Sequence, residues 1–330
     1  MRGGGEYRNG VHTVSGVCGR FAPSPSGRMH LGNVFCALLA WLSARSADGR
    51  FVLRIEDLDT QRCKPEYARL LEEDLAWLGL DWDEGGQKGG GSAPYFQSAC
   101  GALYEAALQT ISERAHVYPC FCSRADLHAA NAPHLSDGTV RYSGRCARLS
   151  PAEAEALRQT RRPALRVAVP DLDITFPDAC RGVVTQNLAA ECGDFILRRS
   201  DGGFAYQLAV VVDDARMGVT QVVRGSDLLS STPRQIYLQR LLGLPQPHYA
   251  HTPLLVNEDG VRLSKREKSL GMDALRARFS PKALTGWLAF LAGQQPSPAP
   301  VSARALAARF SWNNVPKTDI VVPRELMGDF

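Results

Sequence analysis

The residues in the segment 27–33 have the types and spacing that nucleotide binding requires. Gly27 and Gly32 leave room for a ligand beside the main chain. Asn33 precedes an apolar series at helical spacing and is predicted to cap that helix. A helix N-terminus carries a partial positive charge and N–H donors, so it attracts phosphate. His30 lies just before this helix, so we predict that His30, Gly32 and Asn33 bind ATP.

A second candidate segment lies far along the chain, where Ser264 and Lys265 occupy a polar stretch that we predict to be a loop. The Lys265 ammonium would stabilise the charge that develops on a leaving pyrophosphate. In this order the two segments resemble a known pair of ATP-binding signatures, and that resemblance implies that Ser264 and Lys265 also bind ATP and that His30 and Lys265 are catalytic. For each residue taken alone, a capping histidine or a solvated lysine is the structural alternative.

The composition is that of a globular protein with a large core, since 45% of the 330 residues are hydrophobic and 22% are charged. No apolar run approaches the ~18 residues of a membrane span. Residues 1–16 are glycine-rich without the apolar core of a secretory signal, and we expect a disordered arm and a cytoplasmic protein. The nine cysteines do not indicate a disulfide scaffold.

Positive charge is concentrated in one part of the chain. Between Arg141 and Arg166 there are seven arginines and two acidic residues, Glu153 and Glu155. A phosphate-binding strip and an ordinary solvated surface both explain this pattern, and the net charge of +4 permits a nucleic-acid partner.

The order of the predicted elements indicates an α/β fold. Strands are predicted at 17–22 and 51–55, with helices from Asn33, from Pro65 and over 98–114. This alternation predicts a doubly wound parallel sheet whose ligands bind at the carboxyl ends of the strands.

Beyond residue 116 the pattern divides the chain further. We predict a first half of the nucleotide-binding domain over 17–116, an insertion over 117–190, a second half over 191–245 and a lysine-loop and helical region over 246–330. Within the second half we predict strands at 204–212 and 222–225. We predict a helix start at Thr232-Pro233, with Thr232 as the cap and Pro233 as the first helical residue. The stretch 85–91 reads as flexible and 294–300 as a linker to a short tail.

Several segments in order resemble the class I aminoacyl-tRNA synthetases and, over roughly 17–320, their glutamyl-tRNA synthetase group. The segments are Arg20-Phe21-Ala22-Pro23-Ser24-Pro25-Ser26-Gly27, Leu53 to Asp59, Tyr118 to Cys122, Tyr206 to Asp214, Val223 to Asp227, Ser231 to Gln235 and Leu263-Ser264-Lys265.

Within that group the chain is most similar to a family of truncated paralogues without an anticodon-binding domain. The resemblance implies a Rossmann-like doubly wound sheet, an inserted zinc-bearing subdomain and a small helical C-terminal part. It also implies that L-glutamate and ATP form glutamyl-adenylate without tRNA, and that glutamate is transferred to queuosine at the wobble position of tRNA(Asp). Mg²⁺ is expected with ATP, and a monomer is expected.

The resemblance also implies the amino-acid site. Arg20 and Arg224 would hold carboxylates of glutamate through charge-assisted hydrogen bonds. Glu56 would bind the ammonium group, and Ser24 and Tyr206 would supply neutral hydrogen bonds. The implied glutamate-binding residues are Arg20, Phe21, Ala22, Pro23, Ser24, Glu56, Tyr206 and Arg224.

Cys120 and Cys122, followed by Tyr142 and Cys146, resemble the zinc site of the truncated paralogues. Thiolates suit zinc, and four tetrahedral ligands form a closed structural site. A histidine, His128 or His134, in place of Tyr142 is the alternative for the fourth ligand.

Three other functions stay open at this stage. The first is a glutamyl-tRNA synthetase that charges tRNA(Glu) at its 3′ end, and the second is a catalytically silent tRNA-binding paralogue. The third is a nucleotidyltransferase of the pantothenate synthetase type. Arg266 follows Lys265 where class I enzymes commonly have serine, but the essential lysine is kept.

Overall fold

The computed structural model describes residues 16–123, 126, 141–263 and 268–328. Strands and helices are numbered in chain order within those residues. The strands are β1 (Cys18–Phe21), β2 (Arg50–Leu53), β3 (Glu84–Gly85), β4 (Val117–Cys120), β5 (Ala164–Val167), β6 (Asp173–Asp178), β7 (Gly182–Asn187), β8 (Phe195–Arg198), β9 (Gln221–Gly225), β10 (His248–Thr252), β11 (Leu255–Val256) and β12 (Ile320–Val321).

The helices pack around these strands. They are α1 (Leu31–Arg45), α2 (Pro65–Leu78), α3 (Gly101–Arg114), α4 (Pro151–Arg158), α5 (Tyr206–Arg216), α6 (Thr232–Leu242), α7 (Met272–Arg278), α8 (Pro281–Leu291), α9 (Ala303–Ala307) and α10 (Arg324–Met327). No helix within the described ranges is both long enough and apolar enough to cross a membrane. Apart from Gly16, the predicted arm 1–16 lies outside those ranges.

The main sheet has seven strands in the order β3-β2-β1-β9-β10-β6-β7, and every pair except β6–β7 is parallel. This confirms the predicted α/β class and its doubly wound sheet. The chain winds outward in one direction from β1 and in the other from β9, so the order reverses between these two neighbours. A ligand crevice forms where such a reversal separates the loops at the carboxyl ends of the strands.

A second sheet of three antiparallel strands has the order β4-β5-β8, and its strands β4 and β5 lie within the region predicted as the insertion. The structure differs from the predicted boundary at residue 190. β6 and β7 precede it but join the main sheet through the pair Tyr249 and Asp178, whereas β8 follows it and belongs to the small sheet. The boundary therefore does not coincide with a change of sheet.

The prediction of a strand at 204–212 is wrong, because these residues begin α5. Leu208, Val210 and Val211 are all buried, since α5 packs against both α3 and α6. A helix that is covered on several sides has no polar face, and a short apolar run then cannot be told from a buried strand.

The stretch 85–91, predicted to be flexible, starts at the last residue of an edge strand of the main sheet. Gly85 ends β3, which pairs with β2, and Gly86 begins a 3₁₀ turn. A Cβ atom at Gly85 would lie 1.9 Å from the Leu53 carbonyl oxygen, so only glycine allows this close approach.

The C-terminal segment beyond residue 293 packs into the main core rather than extending from it. Leu306, Val315 and Leu326 belong to the same buried cluster as α1. β12 pairs with β11, and the Trp312 indole donates to Ser43 Oγ at 3.0 Å. The segment 294–300 is therefore a connection inside one core, not a linker to a separate tail.

We predict that Leu306→Ala lowers the free energy of unfolding by about 2–5 kcal/mol, the usual cost of a cavity at a fully buried leucine. Arg304→Ala is the matched control, because Arg304 is exposed on the same helix and its loss should cost less than about 0.5 kcal/mol. Chemical denaturation of the whole chain measures both. Equal midpoints for the two variants would show that the segment does not contribute to the core.

Candidate active site

A buried ion network begins at Arg54, which directly follows β2 and has no exposed surface. Its Nη1 lies 2.5 Å from Asp214 Oδ1 and its Nη2 lies 3.0 Å from Glu56 Oε1. Asp213, on the same helix as Asp214, lies 4.0 Å from Arg54 Nε. The network thus joins the carboxyl end of β2 to α5.

Arg20 of β1 reaches the same network from the neighbouring strand. Its Nε lies 3.4 Å from Asp214 Oδ1, and its Nη1 donates to the Val223 carbonyl at 3.0 Å. Burial alone would raise the pKa of Asp214, but the guanidinium groups of Arg54 and Arg20 outweigh burial and hold that pKa below its usual range. Asp214 is therefore a permanent anion between two cations.

Glu56 has the opposite balance. Burial raises the pKa of its carboxyl above the usual range, because the Arg54 guanidinium offsets only part of the desolvation. A cation brought beside Glu56 would lower that pKa again, so this carboxyl is suited to receive an ammonium group.

Three side chains accept hydrogen bonds from the guanidinium of Arg224, which lies in β9. Its Nε donates to His251 Nε2 at 3.1 Å, its Nη1 to Gln235 Oε1 at 2.8 Å and its Nη2 to Thr232 Oγ1 at 2.8 Å. Tyr206 Oη lies 3.5 Å from Nη1. Thr232, predicted to cap α6, is instead its first residue, and Ser231 precedes it as the cap.

An open cavity of about 460 Å³ lies beside this network, and Ser24, Glu56 and Tyr206 line it, whereas Arg20 and Arg224 are not among its lining residues. We call it the central pocket. Burial raises the pKa of the Tyr206 hydroxyl, which therefore stays a neutral hydrogen-bonding group. Polar groups that converge on one pocket from separate elements are typical of a small-molecule site.

Gln97 also lines the central pocket and was missed from the sequence. Its Nε2 donates to Asp213 at 3.0 Å, while its buried Oε1 has no hydrogen-bond partner among the described residues. Such an acceptor fits a ligand that brings a donor. The only sequence signal is an amide beside the aromatic residues Tyr95 and Phe96.

The predicted segment 20–24 lies alongside Glu56, because the Glu56 N–H donates to the Pro23 carbonyl at 3.0 Å. Phe21 packs its side chain into the main core, so it offers the site only its backbone. Ala22 and Pro23 are half-buried. The structure thus brings Arg20, Ser24, Glu56, Tyr206 and Arg224 together, as the resemblance implied.

The start of α1 differs from the prediction, since His30 rather than Asn33 is its N-cap. His30 Nδ1 accepts from the Gly32 N–H at 3.1 Å, and Asn33 Oδ1 accepts from the His30 N–H at 3.2 Å. Asn33 therefore closes a capping box from the third helical position. A Cβ atom at Gly32 would lie 3.1 Å from the His30 ring, so a side chain there would crowd the cap.

Ser264 and Lys265 lie outside the described residues, but the chain on both sides of them is anchored near the site. Before them, Arg262 Nη1 lies 2.6 Å from Asp227, which follows β9. After them, Gly271 forms a β-bridge with His30.

A cysteine cluster lies where the small sheet ends. Cys120, Cys122 and Cys146 place their Sγ atoms within 4.8 Å of one another, and this group can hold a metal ion. Cys122 Sγ lies 3.6 Å from Cys146 Sγ and 3.7 Å from Tyr142 Oη. Two ligands of one tetrahedral zinc with 2.3 Å bonds would lie about 3.8 Å apart, so the spacing fits. His128 and His134 lie outside the described residues.

Arg166 differs from the other arginines of the predicted strip in its surroundings. It is buried, donates from Nε to Cys120 Sγ at 3.2 Å and stacks 4.1 Å above the Tyr142 ring. Its role is to support the cysteine cluster. Exposed arginines remain in this region around α4, namely Arg145, Arg148, Arg158, Arg161 and Arg162.

Comparison with known proteins agrees with this architecture. The family model described as tRNA synthetases class I (E and Q), catalytic domain, matches residues 16–296. The solved glutamate-tRNA synthetase from Elizabethkingia anophelis superimposes with a TM-score of 0.82 at 29% identity, covering 94% of this chain and 69% of that one.

Two curated relatives align along most of the chain. The glutamyl-Q tRNA(Asp) synthetase of Symbiobacterium thermophilum is 49% identical over 314 residues, which cover 94% of this chain and 97% of the relative. Glutamate--tRNA ligase 2 of Alkalilimnicola ehrlichii is 46% identical, covering 84% of this chain and 59% of the relative. The chain therefore belongs to the class I aminoacyl-tRNA synthetases of the glutamyl and glutaminyl type, and it is a ligase.

Proposed function

We propose that this chain activates L-glutamate with ATP and then transfers the glutamyl group to queuosine at the wobble position of tRNA(Asp). The observation that carries the first step is the grouping of charges around Tyr206 of the central pocket, where the cations Arg20 and Arg224 and the acceptor Glu56 all lie nearby. The second step rests on relatives named glutamyl-Q tRNA(Asp) synthetase, among them one that is 49% identical.

Glutamate matches the central pocket group by group. Glu56, whose pKa burial has raised, takes the ammonium and becomes fully ionised beside it. Arg224 presents its terminal nitrogens to one carboxylate, and Tyr206 Oη lies 3.5 Å from Nη1, where it can bind the same carboxylate. Arg20 contributes positive charge on the side of β1. Gln97 Oε1 offers a further acceptor to the ammonium.

ATP lies at the N-terminus of α1, where the helix dipole favours phosphate and His30 is held in place by its capping box. The α-carboxylate of glutamate attacks the α-phosphorus, the bond to the bridging oxygen breaks, and pyrophosphate leaves. Mg²⁺ bound with ATP would supply further neutralisation of phosphate charge. The chain's own contribution is to position the reactants and stabilise charge.

Lys265 supplies the cation for the leaving pyrophosphate. Lys265 lies six positions before Gly271, which pairs with His30, so the chain can span at most about 20 Å between Lys265 and Gly271. Arg262 anchors the other side of the loop at Asp227, beyond β9. Both anchors lie at the crevice edge of the sheet, which supports a role for Lys265 there.

One structural Zn²⁺ would be held by Cys120, Cys122, Cys146 and Tyr142. The metal would cross-link these four residues and take no part in the reaction. These residues link the end of β4 to the segment before α4, so the metal would fix the part of the chain that carries the exposed arginines. Those arginines suit the phosphates of tRNA.

A second candidate is the charging of tRNA(Glu) at its 3′ end. It is favoured by the 46% identity with a glutamate--tRNA ligase. Both candidates share glutamate activation, and they differ only in the acceptor. A silent tRNA-binding paralogue differs from both because it would form no adenylate.

We expect incubation with ATP, Mg²⁺ and labelled glutamate to label tRNA(Asp) that carries queuosine, but neither the same tRNA without queuosine nor tRNA(Glu). Mass analysis of nuclease digests locates the added glutamyl group on the queuosine nucleoside. Label on the terminal adenosine of tRNA(Glu) would establish the second candidate. Absence of glutamate-dependent ATP–pyrophosphate exchange would leave only binding.

Lys265→Ala should lower glutamate-dependent ATP–pyrophosphate exchange by a factor of roughly 10² or more, because it removes a charge that stabilises the transition state. Lys268→Ala is the control, since it removes the same charge three residues away. Equal effects in the two variants, or none in either, would remove Lys265 from the mechanism.

Wild-type protein should carry one zinc ion per chain, and Cys122→Ser should carry much less, because the substitution removes a thiolate ligand. Elemental analysis of purified protein measures the metal. Cys180→Ser is the control, because Cys180 is a buried free cysteine outside the cluster. Equal zinc content in both variants would contradict the proposed ligand set.

A further inference from the structure

Two buried side chains form a hydrogen-bonded chain that ends on Arg224. Asp178 closes β6 and His251 lies in the adjacent β10. Asp178 Oδ2 lies 2.6 Å from His251 Nδ1, and His251 Nε2 accepts from Arg224 Nε at 3.1 Å. Asp178 and His251 have no exposed side-chain surface and do not line the central pocket.

The carboxylate determines which ring nitrogen of His251 carries the proton. Asp178 Oδ1 accepts the N–H groups of Cys180 at 3.0 Å and Arg181 at 2.8 Å. Burial would raise the pKa of Asp178, but hydrogen bonds from His251 and Arg181 hold it below its usual range. The anion therefore keeps the proton on Nδ1, and the lone pair of Nε2 faces Arg224 Nε and Thr232 Oγ1, each 3.1 Å away.

His251 is a neutral acceptor at pH 7. Burial lowers its pKa to about 4, and the nearby Arg224 guanidinium acts in the same direction. A protonated ring would place a second N–H against the Arg224 N–H, so neutrality is required for the contact.

The contact controls how the Arg224 guanidinium is rotated. An arginine has five N–H donors in one plane. His251 accepts the Nε donor, and Gln235 and Thr232 each accept one donor from the terminal nitrogens. With these three directions occupied, the plane is fixed and a terminal nitrogen lies 3.5 Å from Tyr206 Oη, beside the central pocket.

We propose that Asp178 and His251 are positioning residues for amino-acid binding, which act by holding the Arg224 guanidinium in the orientation that receives a carboxylate of glutamate. The inference rests on the proposed role of Arg224 in glutamate binding. Neither residue contacts the substrate, so their effect is on affinity for the amino acid rather than on the bond that breaks.

Asp178→Asn tests the proton position with little change of shape. The Asn oxygen can keep the backbone N–H groups that Oδ1 accepts now, while the amide nitrogen replaces Oδ2 beside His251 Nδ1. An amide N–H must donate to that nitrogen, which moves the ring proton to Nε2. Nε2 can then no longer accept from Arg224 Nε, and its own N–H has Thr232 Oγ1, 3.1 Å away, as an acceptor.

We expect Asp178→Asn to raise KM for glutamate in ATP–pyrophosphate exchange by about tenfold or more, with KM for ATP within about twofold of wild type. ¹⁵N NMR of the histidine rings should show His251 protonated on Nδ1 in wild type and on Nε2 in the variant. Asp173→Asn is the matched control, because Asp173 is exposed at the other end of the same strand.

A second pair of variants keeps the test decisive should Asp178→Asn fold poorly. His251→Gln retains an acceptor that can reach Arg224 and should stay within about threefold of the wild-type KM for glutamate, whereas His251→Leu should raise it by about tenfold. Equal KM values for these two variants, or an unchanged KM in folded Asp178→Asn, would overturn the positioning role alone. Absence of exchange in wild type would overturn the proposed function first.

Discussion

Burial of the Arg54 charge is the constraint on which the rest of the site depends. Removing an ion from water costs several kcal/mol, and a guanidinium without exposed surface is tolerated only with anions in place. Asp214 and Glu56 provide them from two different elements. Arg20 then shares Asp214, so satisfying one buried cation also fixes the charged groups beside the central pocket.

Much of the fold could be predicted from the sequence because its periodic segments are exposed on one side. The helix that Pro65 opens has apolar residues at helical spacing and ends at Gly79, which adopts the left-handed conformation. α5 could not be assigned in the same way, because neighbours cover it on several sides and its apolar run has no polar face. β6 joins the main sheet and β8 joins the small sheet, although the predicted boundary implies the opposite. These memberships depend on pairing between distant strands, which the local sequence does not encode.

For the candidate site, short segments that carry their own chemistry supplied residues that the structure brings together, whereas residues whose chemistry depends on partners were missed. Arg20, Glu56 and Arg224 were identified through the family resemblance, and the structure brings them together. Gln97 and His251 were missed, because the role of a single amide or imidazole depends on neighbours that only the fold brings close. Arg166 was assigned to the surface although it supports the cysteine cluster from within.

The place of β1 in the sheet affects how the chain is made. β1 is the first strand in chain order among the described residues, yet it lies in the interior of the sheet between β2 and β9. Arg20 and its partner Val223 are 203 residues apart, so one edge of β1 stays unpaired while most of the polypeptide is translated. An open strand edge invites association between nascent chains. Protection of this edge until β9 has been translated therefore favours correct folding of the nascent chain.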